Sequence, residues 1–102
     1  MFDDVASEQH IRREREAARL MRKSRWWQTA IAKARCYYCA KDLAKAEATM
    51  DHLVPIARGG RSTPGNVVVA CKSCNTQKRD LTAADWLLYL ETLQVSTHVT
   101  GA

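Results

Sequence analysis

Cys36-x2-Cys39, Cys71-x2-Cys74 and the adjacent pair Asp51-His52 are the residues of this 102-residue chain whose types and spacing could do chemistry. Two residues between cysteines let both thiolates reach one ion, and two such pairs supply the four sulfurs of a tetrahedral zinc site. Four thiolates fill the zinc shell and leave no open position for water or substrate, so a metal there holds the fold and does no chemistry. Thirty-one residues separate the two pairs, longer than the roughly fifteen to twenty of a simple zinc ribbon. Something else is carried inside the frame. Asp51 and His52 lie there, in ATMDHLVPIARGG (residues 48–60), whose Thr49, Met50, Leu53, Val54 and Ile56 suit a half-buried extended segment. Adjacent strand residues point to opposite faces, so one of the pair looks toward whatever the strand packs on and the other away.

The elements that must position these groups can be read in outline. From Ser7 to Arg35 there is no Gly or Pro and good helix formers dominate, which predicts one long helix or two abutting ones. Ala17, Leu20, Ser24, Trp27 and Ile31 recur at steps of three and four as its apolar stripe, with most arginines off it and Trp26 turned to the rim. CYYC at 36–39 forms a tight knuckle, and the strand that follows ends at Pro55. Arg58-Gly59-Gly60-Arg61 and Ser62-Thr63-Pro64-Gly65 are turn sequences, after which Asn66 to Ala70 reads as a second strand, antiparallel to the first. A short helix begins near Asn75. A final helix starts at Thr82, capped with Asp85, and buries Trp86, Leu87, Leu90 and Leu93, whereas Ser96 to Ala102, His98 included, is expected to be irregular.

Length and composition bound the rest. One small domain over 1–102 is expected, with a modest core because fifteen of its apolar residues are alanine. The net charge of +5 is uneven: residues 1–35 hold nine Lys/Arg against five Asp/Glu, 36–80 seven against four, and 81–102 none against two. A basic surface of this kind attracts phosphate polyanions. No apolar run is long enough for a membrane span and no signal-peptide pattern is present, so the expected setting is cytoplasmic and without membrane, where reduced cysteines favour a metal over disulfides.

Cys36-Tyr37-Tyr38-Cys39, Thr49-Met50-Asp51-His52-Leu53-Val54-Pro55, Gly59-Gly60, Asn66-Val67-Val68 and Cys71-Lys72-Ser73-Cys74-Asn75 together resemble the HNH endonuclease family in its four-cysteine, zinc-stabilised form. The resemblance spans residues 36–80. It implies an α+β fold with a ββα-metal nuclease core; the long basic N-terminal helical extension (1–35) and the C-terminal helix and tail (81–102) lie outside the resemblance and flank that core. It also implies metal-dependent hydrolysis of DNA phosphodiesters. On the resemblance, His52 is the general base, since an imidazole with a pKa of about 6.5 can accept the proton of water at neutral pH. Asp51 and Asn75 become ligands of a catalytic divalent ion, and Asn66 ties the loop together and orients His52. The family pattern takes His or Asn at the last position, and Asn75 favours a hard, oxygen-liganded ion such as Mg2+ or Mn2+. Arg58, Arg61, Lys72 and Lys78 surround the site in sequence and are candidates to hold the DNA backbone.

Two further readings stay open at this level. One is a zinc-stabilised DNA-binding module without catalysis. The other is the nuclease subunit of a larger bacterial or phage machine, such as a packaging or restriction system, with the basic N-terminal helix docking a protein partner. Oligomeric state is not set by the sequence; a monomer would more naturally nick one strand, and concerted double-strand cleavage would need two sites.

Overall fold

The computed structural model describes residues 5–101, with side chains described through residue 93. Helices α1 (Glu8–Arg22) and α2 (Arg25–Ala32) come first, followed by short strands β1 (Ala34–Arg35) and β2 (Asp42–Leu43). Strands β3 (Ala48–His52) and β4 (Val67–Cys71) then flank a long loop, and helices α3 (Lys72–Lys78) and α4 (Ala83–Gly101) complete the chain. The architecture is α+β, with two two-stranded antiparallel sheets, β1–β2 and β3–β4.

The N-terminal region is two helices because of one serine. Ser7 caps α1 by accepting the His10 amide, and Ser24 caps α2 by accepting the Trp27 amide while donating to Met21 O at 2.6 Å. A side chain spent on both ends cannot sit in a continuous apolar stripe, and the helical phase resets there. The expected stripe therefore holds only in α2, where Trp27 and Ile31 are buried. In α1 the buried face runs through Glu14 and Ala18 with Met21 packed beside them, and Leu20 is 54% exposed. Trp26 is 44% exposed, at the rim as expected.

β3 and β4 pair in register from Ala48 opposite Cys71 to His52 opposite Val67. One apolar cluster joins Ala18, Trp27, Ile31, Met50 and Val67, fixing α1 and α2 on the hairpin. A second joins Ala34, Cys36, Leu43, Ala70, Cys71 and Cys74 around the knuckles. The 53–66 connection is longer than a simple hairpin turn and folds through single turns at Ile56–Arg58 and Pro64–Asn66. Gly59 has φ 95°, and a Cβ on Gly60 would lie 1.7 Å from the Val54 carbonyl oxygen, so both glycines of the pair are required by the backbone path.

α4 departs from expectation in two ways. Thr82 caps the helix, its Oγ1 accepting a hydrogen bond from Asp85 N at 3.1 Å. Beyond the cap, Trp86 is buried and Leu90 half-buried, but Leu87 and Leu93 are exposed. The helix also continues to Gly101, through the stretch expected to be irregular. The side chain of His98 lies outside the described residues. No helix among the described residues is long and apolar enough to cross a membrane.

Candidate active site and metal centre

The hairpin has two functional ends. At the Ala48/Cys71 end, the knuckle at Cys36 and the start of α3 bring the four cysteine sulfurs within 4.8 Å of one another. The Cys39 and Cys71 sulfurs are 4.0 Å apart. Zinc–sulfur bonds of about 2.3 Å place the sulfurs of a tetrahedral site about 3.8 Å apart, so this cluster fits a single four-thiolate ion. Backbone amides of Cys39 and Cys74 donate to the Cys36 and Cys71 sulfurs. Burial pushes the Cys36 thiol up, yet backbone hydrogen bonds at Cys39, Cys71 and Tyr38 outweigh it and bring it down to about 7. Such a thiol deprotonates readily for a metal.

At the other end, strand alternation sends Asp51 and His52 to opposite faces, and each face is covered. Asp51 is 5% exposed. Its Oδ2 accepts a hydrogen bond from the Tyr38 hydroxyl of the knuckle, and its Oδ1 lies 3.4 Å from the Lys78 ammonium of α3. Burial and the hydrogen bond to Asp51 hold the Tyr38 phenol well above its usual pKa, so it remains a donor. These contacts occupy two of a carboxylate's roughly four acceptor positions.

Lys78 corrects one expectation. Its side chain is 1% exposed, and its ammonium is spent on Asp51 and on the His52 carbonyl oxygen at 3.2 Å. A buried cation paired in this way does not face a DNA backbone. Arg61 and Lys72 are exposed, as a phosphate contact requires, and exposed Arg58 lies 3.8 Å from Asp85 Oδ2.

Asn75, on α3, donates through Nδ2 to Thr49 Oγ1 (3.0 Å) and to Met50 O (3.2 Å). The Thr49 hydroxyl donates in turn to Ala70 O, so both partners of the amide nitrogen act as acceptors. This fixes the amide orientation and leaves Oδ1 as the group presented, beside the backbone that leads into Asp51. A carboxylate and an amide oxygen are the hard donors that fit Mg2+ or Mn2+.

His52 is half-buried, with its Nε2 2.9 Å from Ser62 Oγ. Burial lowers its pKa; the Asp51 charge pulls up, while Arg22 and Lys78 push down. The ring is therefore neutral at neutral pH, the form that can accept a proton. Asn66 ties the loop as expected: Oδ1 accepts from Val54 N at 2.9 Å, and Nδ2 donates to Val54 O (3.0 Å) and Arg61 O (2.9 Å). It makes no hydrogen bond to the His52 ring. Ser62 does, and Ser62 is held by Glu14 of α1: Ser62 N donates to Glu14 Oε1 at 2.7 Å, and Ser62 Oγ donates to Glu14 O at 2.8 Å. The Ser62 amide lowers the pKa of Glu14 against the opposing effect of burial, with Arg61, His10 and Arg13 assisting. His10, one turn earlier, meets Gly60 O through Nε2 at 2.9 Å.

Sequence reading missed Glu14, Ser62, Tyr38 and the pairing of Lys78. One signal was available for Glu14, a carboxylate in line with Ala18 and Met21 on a face otherwise apolar.

A family model described as HNH endonuclease matches residues 36–85. The chain belongs to the HNH endonuclease family through this segment. The HNH segment also aligns with the CRISPR-associated endonuclease Cas9 of Corynebacterium diphtheriae, 36% identical over 52 residues. That alignment covers 50% of this chain and 5% of the Cas9 protein, so the likeness concerns the HNH portion alone. α1, which supplies Glu14 and His10, and α2 lie outside the family match.

Proposed function

We propose that this chain is a metal-dependent DNA endonuclease that hydrolyses a phosphodiester bond, with His52 as the general base. The observation that carries the proposal is that β3 holds, on adjacent residues, a half-buried His52 with lowered pKa and the buried carboxylate of Asp51, while Asn75 of α3 is bonded to the preceding Met50 backbone. Asp51 and Asn75 would hold a Mg2+ or Mn2+ ion, which when bound supplies positive charge to the developing phosphorane and the leaving oxygen. His52 takes the proton of the attacking water, and burial keeps its ring neutral for that role. Tyr38 fixes the carboxylate of Asp51, and Lys78 offsets its charge. The four-cysteine cluster, carrying structural zinc, would keep β3, β4 and α3 in register beneath the site. Arg61 and Lys72 would meet DNA phosphates, and a single site per chain favours nicking.

Conversion of supercoiled plasmid by the zinc-loaded protein tests this reading. Nicking is expected with Mg2+ or Mn2+ and none with EDTA. Asp51→Ala and Asn75→Ala are each expected to raise the Mg2+ concentration needed for half-maximal rate by about 10-fold or more, the scale on which loss of a ligand or its support acts. A rate insensitive to EDTA, or unchanged Mg2+ dependence in both variants, would remove these residues from the metal site.

One observation favours a second reading. The Asp51 carboxylate is already neutralised by a buried cation, as suits a zinc-stabilised DNA-binding module without catalysis. DNA binding in the absence of any nicking would select it.

A further inference from the structure

The Ser62 hydroxyl has one proton and two neighbours. Glu14 O, 2.8 Å away, is a carbonyl oxygen and can only accept. With its proton committed there, Ser62 Oγ faces the His52 ring at 2.9 Å as an acceptor. The ring nitrogen it meets, Nε2, must then carry hydrogen, which leaves the lone pair of the neutral imidazole on Nδ1. Among the described residues no hydrogen-bond partner occupies Nδ1.

Ser62 is itself fixed at both of its polar atoms. Its amide donates to the buried carboxylate of Glu14 at 2.7 Å, while its hydroxyl donates to the same residue's backbone. The N-terminal region makes two more polar attachments to this loop, through His10 of α1 to Gly60 O and through Ala6 N, just before the α1 cap, to Ala57 O at 2.9 Å. Its apolar face adds the packing of Ala18 and Met21 with Met50 and Val67, on the strand pair that carries His52. A helix that served only to present arginines to DNA would have no use for a carboxylate 5% exposed and aimed at a loop amide.

We propose that Ser62, clamped by Glu14, is a positioning residue that selects the Nε2-protonated tautomer of His52, making the N-terminal helix a working part of the site. The consequence for catalysis rests on the nuclease reading above, but the assignment of the ring does not. Any histidine can drift between two neutral tautomers and several ring orientations. The Glu14–Ser62 clamp holds one combination in advance of substrate, with the Nδ1 lone pair free of hydrogen-bond partners among the described residues.

The test uses the zinc-loaded full chain, labelled with 15N at its histidines, in two-bond 1H–15N correlation spectra at a pH where the rings are neutral. His52→Asn identifies the His52 signals among those of the three histidines. In the wild type, His52 is expected to show a protonated Nε2 and an unprotonated Nδ1. Ser62→Ala should mix the tautomers and slow single-turnover plasmid nicking by about 10-fold or more with unchanged zinc content. Ser62→Thr, which restores the hydroxyl, should recover both the spectrum and the rate. A wild-type ring protonated on Nδ1, or Ser62→Ala with both spectrum and rate unaltered, would overturn the proposal. A wild-type protein that nicks no DNA yet shows the Nε2–H ring would overturn the nuclease reading and the catalytic consequence with it, leaving the tautomer assignment supported.

Discussion

The two ends of the β3–β4 hairpin are built from different kinds of information. The cysteine end is assembled from two local turns, each with its pair of thiols three residues apart, and one ion could complete it. The histidine end has no such unit. Its parts come from β3 (Asp51, His52), the loop (Ser62, Asn66), α3 (Asn75, Lys78), the knuckle (Tyr38) and α1 (Glu14), joined by single hydrogen bonds between residues as far as 48 positions apart. A metal frame concentrates its stabilisation in four bonds, whereas the active end spreads it over many weak ones. Damage to the first should therefore be global and damage to the second local.

Cys71→Ser sharpens that contrast most. Structural zinc contributes on the order of 10 kcal/mol to small domains of this type, far more than a single small domain has to lose. We expect loss of zinc and of cooperative unfolding by circular dichroism; full zinc content with an unchanged melt would mean that the cysteine end is not a metal frame. Gly60→Ala comes next. Its Cβ would lie 1.7 Å from Val54 O, so the loop must shift at a cost of about 3 kcal/mol. Zinc stoichiometry should stay intact while the melting temperature and nicking rate fall.

Glu14→Ala is smaller, about 2 kcal/mol, because it leaves the Ser62 amide without its acceptor in a part-buried position. The same residue predicts a pH effect of definite sign. Its folded pKa is lowered from the ordinary 4.5 by the Ser62 amide, so its stabilisation is fully present above that value. The contribution is lost as pH falls through the folded pKa. As pH falls below 4.5, the wild type should lose more stability than Glu14→Ala, and parallel curves for the two proteins in that range would contradict the clamp.

What was legible in the sequence follows the same division. The paired cysteines announce themselves because both thiols of each knuckle sit within one turn of chain. Asp51, His52, Asn66 and Asn75 could be named from a family pattern of fixed order, and the antiparallel pairing follows from two short extended runs around a glycine-rich loop. Ser24 misled because its spacing fits the apolar stripe, while its hydroxyl prefers to cap. Lys78 was placed on the surface by its type alone; only the packing of α3 against β3 reveals the carboxylate that holds it. Glu14 and Ser62 were invisible for a different reason, since neither belongs to a local motif and their contact exists only once α1 lies across the loop. Trp86 is buried at the start of α4 as expected, but nothing in the sequence of Leu87 or Leu93 told that they would be exposed.

The central claim is that His52 does the proton transfer on a site whose fold does not depend on it. Single-turnover plasmid nicking by wild type and His52→Ala, with zinc content, melting and DNA affinity measured on the same preparations, tests it most directly. We expect the variant to lose at least about 100-fold in rate, the scale of general-base catalysis, with the other three quantities unchanged. A His52→Ala protein that nicks at the wild-type rate would contradict the claim.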